Sequence, residues 1–194
     1  MKVKVVLIGN IDVGKTSICS RFGKDDFKLE KPKLGNAYFE RTIEVDDQKI
    51  KMKVFDTAGE ERYRSLTASF FRDAHVVIFI YDITTATSFS DLKTWIDLLR
   101  TYEGDRSICL ALFGNKCDLE KQRIISERHG KEFASEHNMI FAETSAKTAF
   151  GINEAMEDIG RHVLMHKTKR GGPTTNIDLH KPRTGTTKKS ACCS

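Results

Sequence analysis

The chain has 194 residues, with 39% hydrophobic and 30% charged side chains, which suits one ordinary soluble domain and leaves room for a tail. No apolar run approaches the roughly 20 residues a membrane-spanning helix requires, and the opening Met1–Ile8 reads as a strand rather than a leader. The five cysteines, at 19, 109, 117, 192 and 193, make no disulfide framework and fit a reducing compartment. Charge is unevenly spread: of 32 basic and 27 acidic residues, seven and one lie from Lys167 onward, so that stretch carries +6 and the remainder about −1. A nucleic-acid binder concentrates its excess on the folded domain; a neutral domain with a basic tail points instead to an anionic membrane surface.

Apolar, β-branched runs alternate with helical patterns, the mark of a wound α/β sheet. Strands are predicted at 2–8, 37–46, 49–55, 75–81, 107–113 and 139–143. The second and third are linked by Asp46-Asp47-Gln48, which predicts an antiparallel hairpin, the others lying parallel. Helices are predicted at 15–22, 64–72, 87–101, 126–137 and 150–166. Ser88 with Asp91 reads as an N-terminal cap ahead of Leu92, Trp95, Ile96 and Leu99 at helical spacing. From Lys167 the pattern dissolves into Gly, Pro, Thr and Lys, so residues 1–166 are expected to form the domain and 167–194 a flexible linker.

Gly9-Asn10-Ile11-Asp12-Val13-Gly14-Lys15-Thr16 fits G-x-x-x-x-G-K-[ST] between the first strand and the first helix. That placement lets backbone N–H groups curl around phosphates at a helix N-terminus, with Lys15 on the β/γ oxygens and Thr16 on Mg²⁺. Asp56-Thr57-Ala58-Gly59 follows the third strand; an acid there can hold the Mg²⁺ hydration shell and the Gly59 N–H can meet a γ-phosphate. Alone such a D-x-x-G is most often a turn. Asn115-Lys116-Cys117-Asp118 and Thr144-Ser145-Ala146-Lys147 close the next strands. A carboxylate in the base plane accepts both N1–H and N2–H of guanine, a pattern adenine lacks. Lys116 can lie along the ring face and the Ala146 N–H can bond O6.

Taken together these residues resemble the Ras superfamily, and within it the Rab branch, over essentially the whole chain. The pieces that carry the Rab likeness are Leu34-Gly35-Asn36-Ala37-Tyr38, Phe55-Asp56-Thr57-Ala58-Gly59-Glu60-Glu61-Arg62-Tyr63, Phe70-Phe71-Arg72-Asp73-Ala74, Tyr81-Asp82-Ile83-Thr84 and the terminal Cys192-Cys193-Ser194. The resemblance implies an α/β P-loop G domain, with a six-stranded mostly parallel sheet, one antiparallel hairpin and helices on both faces. It implies a GTP/GDP-controlled switch with Mg²⁺ as cofactor, working in vesicle traffic on the cytoplasmic face of endomembranes and cycling with the cytosol. Its partners would be an exchange factor, effectors, an escort protein and a GDP dissociation inhibitor, with no nucleic acid. Nucleotide contacts would come from Asp12, Val13, Gly14, Lys15, Thr16, Ser17, Phe27, Asn115, Lys116, Asp118, Ser145, Ala146 and Lys147. Metal contacts would come from Thr16 and Asp56. Prenylation would fall on Cys192 and Cys193; this is no C-a-a-X box, since Ala191 holds the fourth-last position. Effectors would read Tyr38, Phe55 and Phe70, where the family commonly has Phe, Trp and Tyr; core packing is the alternative role.

Four positions depart from the family pattern where catalysis occurs. Ile11 and Asp12 replace a small residue followed by Gly, and crowd and charge the γ-phosphate side. Lys33 stands where a switch Thr would ligate Mg²⁺, and no Ser or Thr lies between Ser20 and Thr42. Glu60 replaces the glutamine that orients the attacking water, beside Lys15 and Gly59 in the catalytic set. The expectation is that nucleotide binding survives while hydrolysis is slow. The alternative is a pseudo-GTPase scaffold held in one nucleotide state.

Overall fold

The computed structural model describes residues 1–24, 38–57, 70–103 and 108–170. The elements are β1 (Lys2–Ile8), α1 (Lys15–Lys24), β2 (Tyr38–Val45), β3 (Gln48–Asp56), β4 (Val76–Asp82), α2 (Ala86–Ser90), α3 (Leu92–Glu103), β5 (Cys109–Asn115), α4 (Glu127–Glu136), β6 (Ile140–Glu143) and α5 (Ile152–Arg170). A 3₁₀ turn, Cys117–Gln122, precedes α4.

The six strands form one sheet in the order β2-β3-β1-β4-β5-β6. Only β2 and β3 pair antiparallel, as the short connection requires; the β3–β1, β1–β4, β4–β5 and β5–β6 pairs are parallel. The hairpin turn is tighter than predicted. Asp46 and Asp47 both take positive φ (49° and 59°), the two-residue form whose twist matches the flanking strands, and Gln48 already pairs with Val45.

Strand alternation sends side chains into two cores, one on each face. Val5, Leu7, Ile50, Met52, Ile78 and Phe113 face Ile18, Phe22, Met156 and Ile159 of α1 and α5. Val6, Ile8, Val77, Phe79 and Leu112 face Phe71, Phe89, Trp95, Leu99 and Phe133. β4 is buried along its whole length, as a central parallel strand must be when helices cover both sides.

Two helix expectations are corrected. Residues 87–101 are not one helix capped by Ser88, because the chain breaks at Asp91 into α2 and α3. Ser88 lies inside α2, buried, its hydroxyl accepting from the Asp82 N–H at 3.0 Å and donating to the Thr85 carbonyl at 2.7 Å, so it ties the helix to the end of β4. The final helix runs to Arg170, four residues past its predicted end. The predicted helix at 64–72 lies mostly outside the described residues; Phe70 and Phe71 are helical.

Among the described residues two buried side-chain atoms have no partner, an oxygen of Asp56 and the hydroxyl of Tyr81. The Tyr81 hydroxyl sits in a slot so tight that a Cβ on Gly130 would lie 2.4 Å from it, and it makes no hydrogen bond. Burial, reinforced by the charge of Glu143, pushes its pKa well up. Removing an unsatisfied hydroxyl recovers desolvation free energy, so Tyr81→Phe is expected to stabilise by up to about 1 kcal/mol. The melting temperature should then rise by roughly 2–4 °C. A fall in melting temperature would show that the hydroxyl is satisfied in solution.

Candidate nucleotide-binding site

Four segments meet at the carboxyl ends of β1, β3, β5 and β6, where a doubly wound sheet opens its ligand crevice. The 9–16 loop leaves β1 and enters α1, whose first turn closes with the Ile18 N–H on the Gly14 carbonyl at 2.9 Å. Its backbone is turned by Gly9, Asp12 and Gly14, all at positive φ. Asp12 (φ 62°) holds the left-handed conformation that glycine adopts without cost, and its side chain is exposed. Gly14 admits no side chain, since a Cβ would meet Asn115 Nδ2 at 2.3 Å. Ile11 is 60% exposed, an apolar side chain on the open rim of the loop.

Lys15 is buried, its ammonium donating to the Gly9 and Asn10 carbonyls at 2.9 and 2.6 Å. Burial lowers its pKa to about 8, against the opposing charges of Asp56 and Asp12. The loop carbonyls therefore hold the cation against the 9–16 loop.

Thr16 and Asp56 come together from α1 and the end of β3, with Thr16 Oγ1 donating to Asp56 Oδ2 at 2.5 Å. Asp56 Oδ1 is buried and has no hydrogen-bond partner. Burial raises the Asp56 pKa, while Thr16 and Lys15 oppose the shift. A hydroxyl beside a carboxylate with one uncommitted oxygen is a hard-oxygen donor set, and it fits a Mg²⁺ that keeps most of its water. Ser17 follows, half-buried, the third residue of α1.

Asn115, 1% exposed, joins the loop to the base side. Its Nδ2 donates to the Val13 carbonyl at 2.8 Å, and its Oδ1 accepts from Thr144 Oγ1 and the Ala146 N–H, both at 3.3 Å. The Ala146 N–H thus already faces a side-chain oxygen, at the long end of hydrogen bonding. Ser145 is fully buried and donates to Asp118 Oδ1 at 2.6 Å, which orients an otherwise exposed carboxylate. Lys116 takes a left-handed backbone (φ 65°) and its ammonium lies 2.6 Å from Asp82 Oδ2. Lys147 is exposed.

Three supports escaped the sequence reading. Arg21 on α1 donates from Nε to the Ala146 carbonyl at 3.0 Å and from Nη2 to the Lys147 carbonyl at 3.1 Å, steadying the second base loop. Asp82 anchors Lys116 while accepting from the Thr84 N–H and hydroxyl. Asn10 accepts from Trp95 Nε1 at 2.8 Å and donates to Asp91 at 2.7 Å, tying the phosphate loop to α3. Asp82 and Asn10 stood in quoted motifs, but neither their contacts nor those of Arg21 could be read there, because they depend on segments distant in sequence.

Tyr38, Phe55 and Phe70 form one contiguous patch, with ring centroids 5.4 Å apart for the first pair and 6.0 Å for the second. Tyr38 is exposed and the other two are half-buried, so the patch is neither core nor scattered surface. Phe27, Lys33, Gly59, Glu60, Cys192 and Cys193 lie outside the described residues. Among the described residues no helix is long and apolar enough to cross a membrane.

A six-stranded sheet whose first strand runs through a G-x-x-x-x-G-K-T loop into α1, with Thr16 against Asp56 and the loops after β5 and β6 drawn to the same end, has the architecture of the P-loop class. Comparison with known proteins narrows it. The Ras family profile matches residues 4–165. Ras-related protein Rab5A of Oryza sativa subsp. japonica is 35% identical over 98% of this chain and 94% of its own length. Human Ras-related protein Rab-22A is 37% identical over 99% of this chain and 98% of its own, and Ras-related protein Rab-11A of Dictyostelium discoideum is 37% identical over 98% and 94%. The chain belongs to the Ras family and, within that superfamily of small GTPases, to the Rab branch.

Proposed function

We propose that this chain is a Rab-like switch of vesicle traffic that binds GTP and GDP tightly and hydrolyses GTP slowly. The observation that carries the binding half is the Asn115 bridge, which couples the phosphate loop to both base loops through one buried amide. In this reading Lys15 neutralises the β/γ oxygens, and the backbone between Asp12 and Ser17 donates to the phosphates. Phe27 packs against the nucleotide, Asp118 reads the guanine edge, and Lys116, Ser145, Ala146 and Lys147 frame the base. Thr16 and Asp56 would hold Mg²⁺, which when bound offsets charge on the transferring phosphate.

The slow half rests on four residues. Ile11 stands exposed at the phosphate side, and Asp12 puts a carboxylate on the same rim. Glu60 carries charge where a neutral amide would donate to the transition-state oxygens, and Lys33 lacks the hydroxyl of a switch threonine. This chemistry depends on positioning and charge stabilisation, so each change raises the barrier without removing a ground-state contact. Single-turnover hydrolysis is therefore expected to fall at least about tenfold below that of an ordinary Rab, a barrier increase of roughly 1.4 kcal/mol. Glu60→Gln should restore only part of the loss, because the crowding at Ile11 and Asp12 stays. Normal turnover in the unmodified protein would sink the slow-switch reading, and nucleotide bound without any turnover would favour the scaffold.

The residues after Arg170 are proposed as the membrane tether, prenylated at Cys192 and Cys193. Two lipid chains next to basic charge meet the two-signal requirement for stable anchoring. Handling by an escort protein and a dissociation inhibitor goes with that tether, while an exchange factor and effectors act on the domain. Cys192→Ser combined with Cys193→Ser should move the protein from membranes to the cytosol in cell fractionation, with GDP affinity unchanged. Persistent membrane attachment of the double variant would refute the tether.

A further inference from the structure

The exposed face of the sheet edge formed by β1, β2 and β3 is unusually basic. Alternation along β3 brings Lys49, Lys51, Lys53 and Phe55 onto one side, and along β1 it brings Lys2 and Lys4 onto the same side. The register sets Lys2 beside Lys51 and Lys4 beside Lys53, two like-charged neighbours in the parallel pair. Across the hairpin, Glu44 faces Lys49, Thr42 faces Lys51, Glu40 faces Lys53 and Tyr38 faces Phe55. Five ammonium groups thus share the face with Glu40 and Glu44, with Asp73 acting on Lys4 from beyond the strand end.

The lysines run directly into the aromatic patch. Lys53 Nζ lies 3.5 Å from the Tyr38 ring centroid, and Lys4 Nζ lies 5.1 Å from that of Phe55. Lys51 pairs with Glu40 at 2.6 Å, but both are exposed and such a pair contributes little. Glu40 and Glu44 and the ring contacts of Lys4 and Lys53 offset part of the repulsion, but five ammonium groups against two carboxylates leave the face with an excess of positive charge. Opposite charge brought by a partner would relieve it.

We propose that this face docks an acidic protein segment that lays an apolar anchor on Tyr38, Phe55 and Phe70 and its carboxylates along Lys2, Lys4, Lys49, Lys51 and Lys53. The proposal rests on the reading of the aromatic patch as an effector surface, and adds the chemistry of the effector. The geometry favours a segment over a membrane. The carboxylates of Glu40 and Glu44 line the β2 border of the same face, and a planar anionic surface would press on them, whereas a segment running along β1 and β3 passes them by.

The test uses the full chain saturated with a non-hydrolysable GTP analogue and Mg²⁺, and a synthetic helical peptide bearing glutamates beside a Leu-Phe stripe. A matched peptide with glutamine for every glutamate is the control. Acidic peptide should shift the backbone NMR signals of Lys2, Lys4, Lys49, Lys51 and Lys53, and should bind more weakly as salt rises. The triple variant Lys2→Gln, Lys49→Gln, Lys51→Gln should bind it about tenfold more weakly, as expected from three modest surface ion pairs. That variant keeps the two lysines stacked on the rings, and a melting temperature no lower than that of the unmodified chain confirms its fold. Phe70→Ala should weaken both peptides alike, which reports on the aromatic reading separately. Equal binding of the two peptides, with Phe70→Ala still harmful, overturns the acidic partner and leaves the aromatic surface standing. Loss of neither interaction in either variant overturns both. Binding to phosphatidylserine vesicles that the triple variant loses, with no peptide binding, overturns the proposal in favour of a membrane surface; the tail is common to both proteins and cancels.

Discussion

Asp118→Asn is expected to exchange a preference for guanine for one for xanthine. The carboxylate at 118 is held by the Ser145 hydroxyl at 2.6 Å, and Ser145 is itself fully buried, so the plane of the group is set by the loop after β6. An asparagine fits the same plane. Its amide N–H can donate to the xanthine O2, but against guanine it presents a donor to the N2–H₂ group and forfeits a charge-assisted pair of bonds. Hydrogen bonds to charged groups contribute roughly 1.5–3 kcal/mol each, so losing two weakens GDP binding by about 10²–10⁴-fold. Dissociation constants for GDP and xanthosine diphosphate, measured on one preparation, decide the matter. A variant that keeps its affinity for GDP would remove Asp118 from the base site.

The second large effect is expected at Asn115→Ala. This side chain carries the link between the two halves of the site. Truncation leaves the Val13 carbonyl, the Thr144 hydroxyl and the Ala146 N–H without their shared partner, in a region where Val13 and Asn115 are each 1% exposed and Thr144 is fully buried. Orphaned buried polar groups cost about 1–3 kcal/mol apiece, partly recovered by water entering the gap, so a net loss of roughly 3 kcal/mol is expected. For a domain of this size that lowers the melting temperature by about 6–12 °C. Loosening the phosphate loop from the base loops should also speed GDP release by around 10²-fold, since both ends of the nucleotide then sit on independently moving segments. Stopped-flow release of a fluorescent GDP analogue reads this directly. Unchanged release, even with a lower melting temperature, would make Asn115 a packing residue and nothing more.

The wound α/β order, the single antiparallel pair and the placement of the phosphate and base motifs were all legible in the sequence, because each rests on local periodicity or on adjacent residues. The G-x-x-x-x-G-K-T run, Asn115 to Asp118 and Ser145 to Lys147 are each recognisable from adjacent residues, and the structure brings all three to one end of the sheet. Local reading slipped where two signals compete at one spot. Ser88 looks like a helix cap, but α2 and α3 pack separately, and its hydroxyl is drawn to the end of β4. Asp12 reads as a charge beside phosphates; only the fold shows that it also holds a left-handed turn that glycine would adopt freely.

What the tertiary structure alone decided is the set of long-range ties that make the motifs one site. Arg21 reaches 125 residues along the chain to the Ala146 carbonyl, Trp95 reaches back 85 to Asn10, and Asn115 reaches 102 to Val13. No window of sequence contains such a pair. The same holds for the lysine face: Lys2 and Lys51 are unremarkable apart, and become neighbours only through the parallel register of β1 on β3. Periodicity fixes which face of a strand a residue occupies. Which other strand lies beside it is settled by burying both sides of the sheet at once, and that is a property of the whole chain.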